Sequence, residues 1–228
     1  MAGIKILISG TPNSGKTSLL QDLEHVFVVA RDGKRYPFAQ PHVNISQMVH
    51  EKNGPSVVDS LLNTVNEKLG VYFDKFGVLP ETVVFDSVSK IFLDIEAAVS
   101  SVVASFPYSV INAEISKLVN YIENELIARD INVVVVSHAN WDEDTAIYKL
   151  VNAGGAYGKK GGFLSEVDNS IFLESKANKR VVHHRSLKFI SRTLSAELPD
   201  SEDRTTYSLK KHLELLQKDS DAAASFEL

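Results

Sequence analysis

Four short segments of the chain are dominated by apolar residues and have the length of buried strands: Ile4–Ser9, Val26–Ala30, Thr82–Phe85 and Asn132–Ser137. Between them apolar positions recur at helical spacing. Val57, Val58, Leu61, Leu62, Val65 and Leu69 predict a helix over Ser56–Gly70, and the same period predicts helices over Lys16–Leu23, Lys90–Val103 and Ile111–Ala128. Apolar strands separated by helices argue for an α/β fold, a mainly parallel central sheet with helices on both faces. Ser170–Leu173, Arg180–His183 and Leu187–Ile190 read as short hairpin strands that extend the sheet in antiparallel fashion. The polar, glycine-rich stretch from Ala139 to Gly162 reads as loop. Leu209–Leu216 reads as a last helix running into an acidic, mobile terminus, and the organisation is drawn as one core of residues 1–210 followed by a tail of residues 211–228.

Composition narrows the partners. The chain has 228 residues, 44% of them hydrophobic, and a formal net charge of −5, so nothing attracts it globally to nucleic acid or to an anionic membrane. Any contact with DNA must come from a local basic patch. There is no cysteine, which excludes disulfides, thiolate metal sites and thiol nucleophiles and fits a reducing compartment. The longest aliphatic run, Val133–Val136, is far too short to span a bilayer, and the strand pattern begins at once, which argues against a signal peptide. A cytoplasmic protein is the expectation.

The stretch GTPNSGKTS follows the first strand. Gly10, Gly15, Lys16 and Thr17 fit the phosphate-loop pattern G-x-x-x-x-G-K-[ST]. In this pattern glycines let backbone N–H groups turn onto phosphate oxygens, lysine reaches the β- and γ-phosphates, and the hydroxyl of Thr17 binds Mg²⁺. Thr11, Pro12, Asn13, Ser14 and Ser18 complete the cradle, and the next helix would aim its positive end at the anion. The cofactors implied are a nucleoside triphosphate and Mg²⁺. TVVFDS places Asp86 at the end of a buried strand, where a carboxylate holds the metal or, alternatively, caps the following helix. The next residue is Ser87, not a glutamate, so a base that activates water must come from elsewhere. Asp32, just past VFVVA, is the candidate base, and an Asp-Gly turn is the other reading of it.

Other nucleotide enzymes fit less well. The single Asn-Lys pair, Asn178-Lys179, is followed by Arg180 and Val181 and so cannot be a guanine-reading Asn-Lys-x-Asp. No arginine lies between Arg35 and Arg129, where a small-molecule kinase would carry its lid. The order of GTPNSGKTS, VVARD, VVFDS, VVVVSHAN, a glycine-rich loop, GGFLSEVDNSIFLE and RSLKFISRT resembles the RecA-like P-loop NTPases. It is most similar to the small phage RecA-like ATPases of the Sak type, over residues 3 to 195.

The resemblance implies an ATPase, stimulated by DNA, that binds single-stranded DNA as a ring or filament and promotes annealing or recombination, with a single-strand DNA-binding protein as a further partner and no membrane. It implies that Lys16, Thr17 and Asp86 bind the triphosphate and metal, that Asp32 stands at the base position and that His138 stands where a glutamine senses the γ-phosphate. His138 is otherwise a histidine satisfied at a strand end. Arg192, with Lys188 near it, stands where the family presents a cation to the neighbouring subunit's ATP. Tyr36 or Phe38 is placed on the adenine. From Ser175 to Ala196 there are six Lys or Arg and no acid, a local reversal of charge. Lys176, Lys179 and Arg180 are candidates for the DNA backbone, as are Lys159 and Lys160 in the loop after His138, with Tyr148 and Tyr157 for the bases. The loop would be ordered by γ-phosphate contact at His138, or is simply solvated. The acidic terminus either competes with DNA, docks a partner or only solubilises. A small-molecule or nucleotide kinase, and an ATP-gated assembly module without DNA binding, are the alternative functions.

Overall fold

Burial on both faces explains the apolar runs: every residue of Val26–Ala30 and Thr82–Asp86 is buried, as are the valines of Asn132–Val136. The computed structural model describes residues 3–224 except 32, 34, 35, 37, 46, 47, 52, 152–161, 177, 178, 190 and 194, and of 162, 164, 176 and 224 the backbone alone. In chain order the strands are β1 (Lys5–Gly10), β2 (Val26–Ala30), β3 (His42–Asn44), β4 (Thr82–Asp86), β5 (Asn132–Val136), β6 (Ala139–Asp142), β7 (Ile147–Leu150), β8 (Asn169–Lys176), β9 (Lys179–His183) and β10 (Ser201–Asp203). Eight of them form one sheet in the order β10-β9-β8-β1-β5-β4-β2-β3, and β6 and β7 form a separate hairpin. From β3 to β8 all neighbours are parallel, and β9 and β10 add the antiparallel extension.

The helices are α1 (Val57–Phe76), α2 (Val88–Ser100), α3 (Pro107–Tyr121) and α4 (Leu209–Ala224). The first three cover one face of the sheet, packing Val65, Ile91 and Ile115 onto Val83, Phe85, Val133 and Val135. The other face is covered by Leu19, Leu20 and Leu23 and by α4. α1 starts at Ser56, whose hydroxyl accepts the Asp59 N–H at 3.1 Å, while Glu114 of α3 accepts the buried Val58 N–H at 3.0 Å. It runs past Gly70, where the sequence pattern stops, because Tyr72 is buried one half-turn later, and it ends at the left-handed Gly77, φ 73°. The helix predicted over 111–128 is α3 from Pro107, which passes into a π turn at Ile122–Leu126 and a 3-10 turn at Ile127–Arg129.

Four expectations are corrected. Lys16–Leu23 holds a six-residue 3-10 helix, Thr17–Asp22, because the chain turns back into β2 at His25, φ 45°. The segment after His138 is not all loop: β6 and β7 pair Trp141 with Tyr148 and Asn140 with Lys149, and Asp142 closes the turn by accepting from Thr145. Residues 187–189 form no strand: Phe189 makes only an isolated bridge to Tyr148 and Leu187 is exposed, while Ile190 lies outside the described residues. Residues 211–224 are helical rather than a mobile tail. Leu209, Leu213 and Leu216 repeat at four and three residues and are buried on the sheet, and each buried leucine contributes roughly 1.5–3 kcal/mol. Phe226 and Glu227 lie outside the described residues. Among the described residues no helix is long and apolar enough to cross a membrane.

Candidate functional site

The registers Ile8↔Val136, Asp86↔Val136 and Ala30↔Asp86 bring the carboxyl ends of β1, β5, β4 and β2 to one edge of the sheet. Ligands of open parallel sheets bind at that edge. Here β1 ends in Gly10, whose φ of 155° and surroundings exclude a side chain: an added Cβ would lie 2.5 Å from the Leu173 carbonyl oxygen and 2.8 Å from Ser14 Oγ. A turn joins Thr11 to Ser14 across Pro12, with Asn13 left-handed at φ 61°, and Gly15 follows at φ 92°. Lys16 is buried, and its Nζ donates to the carbonyls of Gly10 at 3.0 Å and Thr11 at 2.8 Å. Ser14 Oγ is buried and has no hydrogen-bond partner among the described residues. An ammonium parked on loop carbonyls and a buried hydroxyl without a partner fit an anion in the loop. The helix behind it is too short to supply the macrodipole of a full α-helix, so the loop N–H groups and side-chain cations must hold the charge.

Asp86, 4% exposed, accepts from Thr17 Oγ1 at 3.1 Å and from Tyr36 Oη at 3.2 Å through the same carboxylate oxygen. A hydroxyl and a carboxylate converging beside Lys16 are the hard oxygen donors that Mg²⁺ requires, so these residues fit the metal. Ser87 caps α2 by accepting the Lys90 N–H. Tyr36 therefore lies beside Asp86, with Phe38 and His42 packed against it. Next to it Arg31, which motif reading passed over, donates its backbone N–H to the Asp86 carbonyl and pairs with Asp94 of α2 at 2.6 Å. Asp32 lies outside the described residues.

His138 follows β5, between the strands that end in Gly10 and Asp86. Its backbone is held on both sides. Its N–H donates to Ser89 Oγ at 2.8 Å, that hydroxyl lies 2.8 Å from Ser137 Oγ, and its carbonyl accepts the Val151 N–H at 2.8 Å, closing the far end of the β6–β7 hairpin. Ser89 gave no sequence signal, because a serine on an amphipathic helix is ordinary. The hairpin carries Trp141, 45% exposed, in edge contact with Tyr148, whose ring packs on Phe172 and Phe189. The carboxyl of Asp142 is held well below the usual carboxylate range by Lys149 and Thr145.

Of the remaining cations, Lys159, Lys160 and the side chain of Lys176 lie outside the described residues, as does Tyr157. Lys179 and Arg180 stand on β9, and Arg180 reaches the phosphate loop itself, against Gly15. Arg192 is exposed, and its backbone N–H and carbonyl bond to Ser170 in the first half of β8, away from this chain's own phosphate loop. Lys188 is exposed, and its carbonyl accepts the Tyr148 N–H.

Comparison with known proteins matches a family model described as an AAA domain to residues 2–196 of the chain. No curated protein matches it.

Proposed function

The chain belongs to the AAA domain family, nucleotide-binding P-loop ATPases, and from that premise we propose that it is a magnesium-dependent ATPase of the RecA-like, Sak-type kind that grips single-stranded DNA in its ATP-bound form. The observation that carries the reading is the continuity at His138. One backbone position joins the edge of the phosphate site, through Ser89 and Ser137, to the start and end of the β6–β7 hairpin. The γ-phosphate end of a nucleotide faces this position, since Thr17 and Asp86 mark the metal side and β5 lies between β1 and β4.

In this reading the N–H groups of residues 11 to 16 cradle the phosphates, and Lys16 leaves the carbonyls of Gly10 and Thr11 for the β- and γ-oxygens. Thr17 and Asp86 hold Mg²⁺, which when bound neutralises charge developing as the β–γ bond breaks. His138 meets the γ-phosphate and fixes the hairpin and the segment beyond it, an ordering switch. Trp141 and Tyr148 supply aromatic faces for unpaired bases. Several copies assemble into a ring or filament in which Arg192 reaches the neighbouring copy's ATP, and the assembly promotes annealing or pairing together with a single-strand DNA-binding protein.

The test is fluorescence anisotropy of a labelled single-stranded oligonucleotide. Affinity should rise with Mg²⁺ and a non-hydrolysable ATP analogue, fall steeply with salt, and lose its nucleotide dependence in Lys16→Ala. Equal affinity with and without nucleotide would overturn the DNA-gripping part of the proposal. Phosphate transfer to a small acceptor, indifferent to DNA, would replace it with a kinase.

A further inference from the structure

β8 pairs with β1 as far as Leu173↔Gly10 and then continues to Lys176, so the β8–β9 hairpin overhangs the point where β1 becomes the phosphate loop. Ser175, opposite Arg180, is two residues past that point, roughly 7 Å along the strand. The overhang brings the Arg180 guanidinium down on Gly15: its Nη1 is 3.4 Å from where a Cβ on that glycine would be. Arg204, in the turn after β10, donates its backbone N–H to the Arg180 carbonyl at 2.9 Å and its Nη2 to the Ser18 carbonyl at 3.0 Å. With Lys179 these residues line a cavity of about 590 Å³ that opens beside the loop.

The lining of the cavity carries more positive than negative charge, three cations against Asp203. Among the described residues neither guanidinium hydrogen-bonds a carboxylate, although the charge of Asp22 acts on Arg204. The acid that lines it, Asp203, turns its carboxylate onto the Thr205 N–H at 2.8 Å and hydroxyl at 2.7 Å. Burial pushes Arg204 below its ordinary range; the charges of Asp22 and Tyr207 oppose that shift and the Arg180 charge adds a little to it. A space with three cations whose acid is engaged elsewhere is built for an anion.

Its position says which one. Thr17 and Asp86 place the metal, and so the β- and γ-phosphates, on the β4–β5 side of β1; β8 and β9 lie on the opposite side. We infer that Lys179, Arg180 and Arg204 form the wall of the nucleotide site that receives the α-phosphate and the sugar. Arg180 grips phosphate over Gly15, and Arg204 with Thr205 faces the nucleoside. The basic residues of β9 are thus assigned to the nucleotide of their own chain rather than to DNA. The inference rests on the nucleotide-binding reading of the phosphate loop.

Calorimetric titration of the full chain with Mg²⁺ and either ADP or inorganic tripolyphosphate, which has phosphates but no sugar, tests it. Arg180→Ala should weaken both ligands roughly 10- to 100-fold, the loss of a charge-assisted contact, with partial recovery in Arg180→Lys. Arg204→Ala should weaken ADP while leaving tripolyphosphate unchanged, and that retained binding also shows the variant is folded. ADP affinity unchanged in both alanine variants, or a loss confined to single-stranded DNA, overturns the inference alone, provided Lys16→Ala still abolishes ADP binding. A wild-type chain that binds neither ligand overturns this inference and the nucleotide-binding reading together.

Discussion

Removing one hydroxyl, Ser89→Ala, isolates the link between the phosphate site and the hairpin. Ser89 is 1% exposed, and its Oγ accepts the His138 N–H at 2.8 Å and contacts Ser137 Oγ at 2.8 Å. After substitution Ser137 keeps its bond to the His138 carbonyl at 3.1 Å, so the group left without an acceptor is the His138 N–H. Stranding a buried donor costs about 1–3 kcal/mol, and because this one is only partly buried the lower half of that range applies. For a chain of this length each kcal/mol moves Tm by about 2–4 °C, so a fall of roughly 2–8 °C is expected in a thermal melt. Hydrogen exchange gives the sharper readout. The amides of His138 and Val151 should exchange faster, while those of β1 and β4, whose ladders are untouched, should not. A melt shifted by less than about 1 °C with unchanged exchange at both amides would refute the argument that Ser89 holds this junction.

Gly10→Ala forces a Cβ to within 2.5 Å of the Leu173 carbonyl, and should destabilise the fold by about 1–3 kcal/mol in a denaturant titration while abolishing nucleotide binding. Glu114→Ala leaves the buried Val58 N–H without its acceptor and should cost about 1–3 kcal/mol by the same measurement, with Glu114→Gln, which keeps an oxygen there, costing less. Burial, and then His184 beside it, lower the His212 pKa from 6.5 to about 3, and its Nδ1 shares a 2.8 Å hydrogen bond with Tyr207 Oη. Because the folded form resists the proton, stability from this group is full above pH 6.5 and falls as the pH drops toward 3, with a slope of up to about 1.4 kcal/mol per pH unit. The difference between wild type and His212→Gln in denaturant titrations at pH 7 and pH 4.5 should show that loss, and parallel stabilities would contradict it.

The parallel strands were legible because burial on both faces leaves unbroken apolar runs, as in VFVVA and NVVVV. β3 and β10 were not. They are three-residue edge strands, His42–Asn44 with one apolar residue and Ser201–Asp203 with none, and only their neighbours make them strands. The β6–β7 hairpin hid behind its acidic turn, although the alternation in ANWD and IYKL, with Trp141 opposite Tyr148, carries the period of a strand pair. Lys16, Thr17 and Asp86 could be named from the chain because a local motif and a strand end specify them. The approach of Arg180 and Arg204 to Gly15 and Ser18 could not, since it depends on how far β8 runs past β1 and on contacts more than 160 residues apart in sequence.

Phosphate release from ATP in the presence of Mg²⁺, compared between the wild-type chain and Asp86→Asn, tests the metal and phosphate centre most directly. The account predicts turnover by the wild type and a fall of roughly 100-fold or more in the variant, with ADP binding retained. Equal rates in the two proteins, or release that survives in Lys16→Ala, would contradict it.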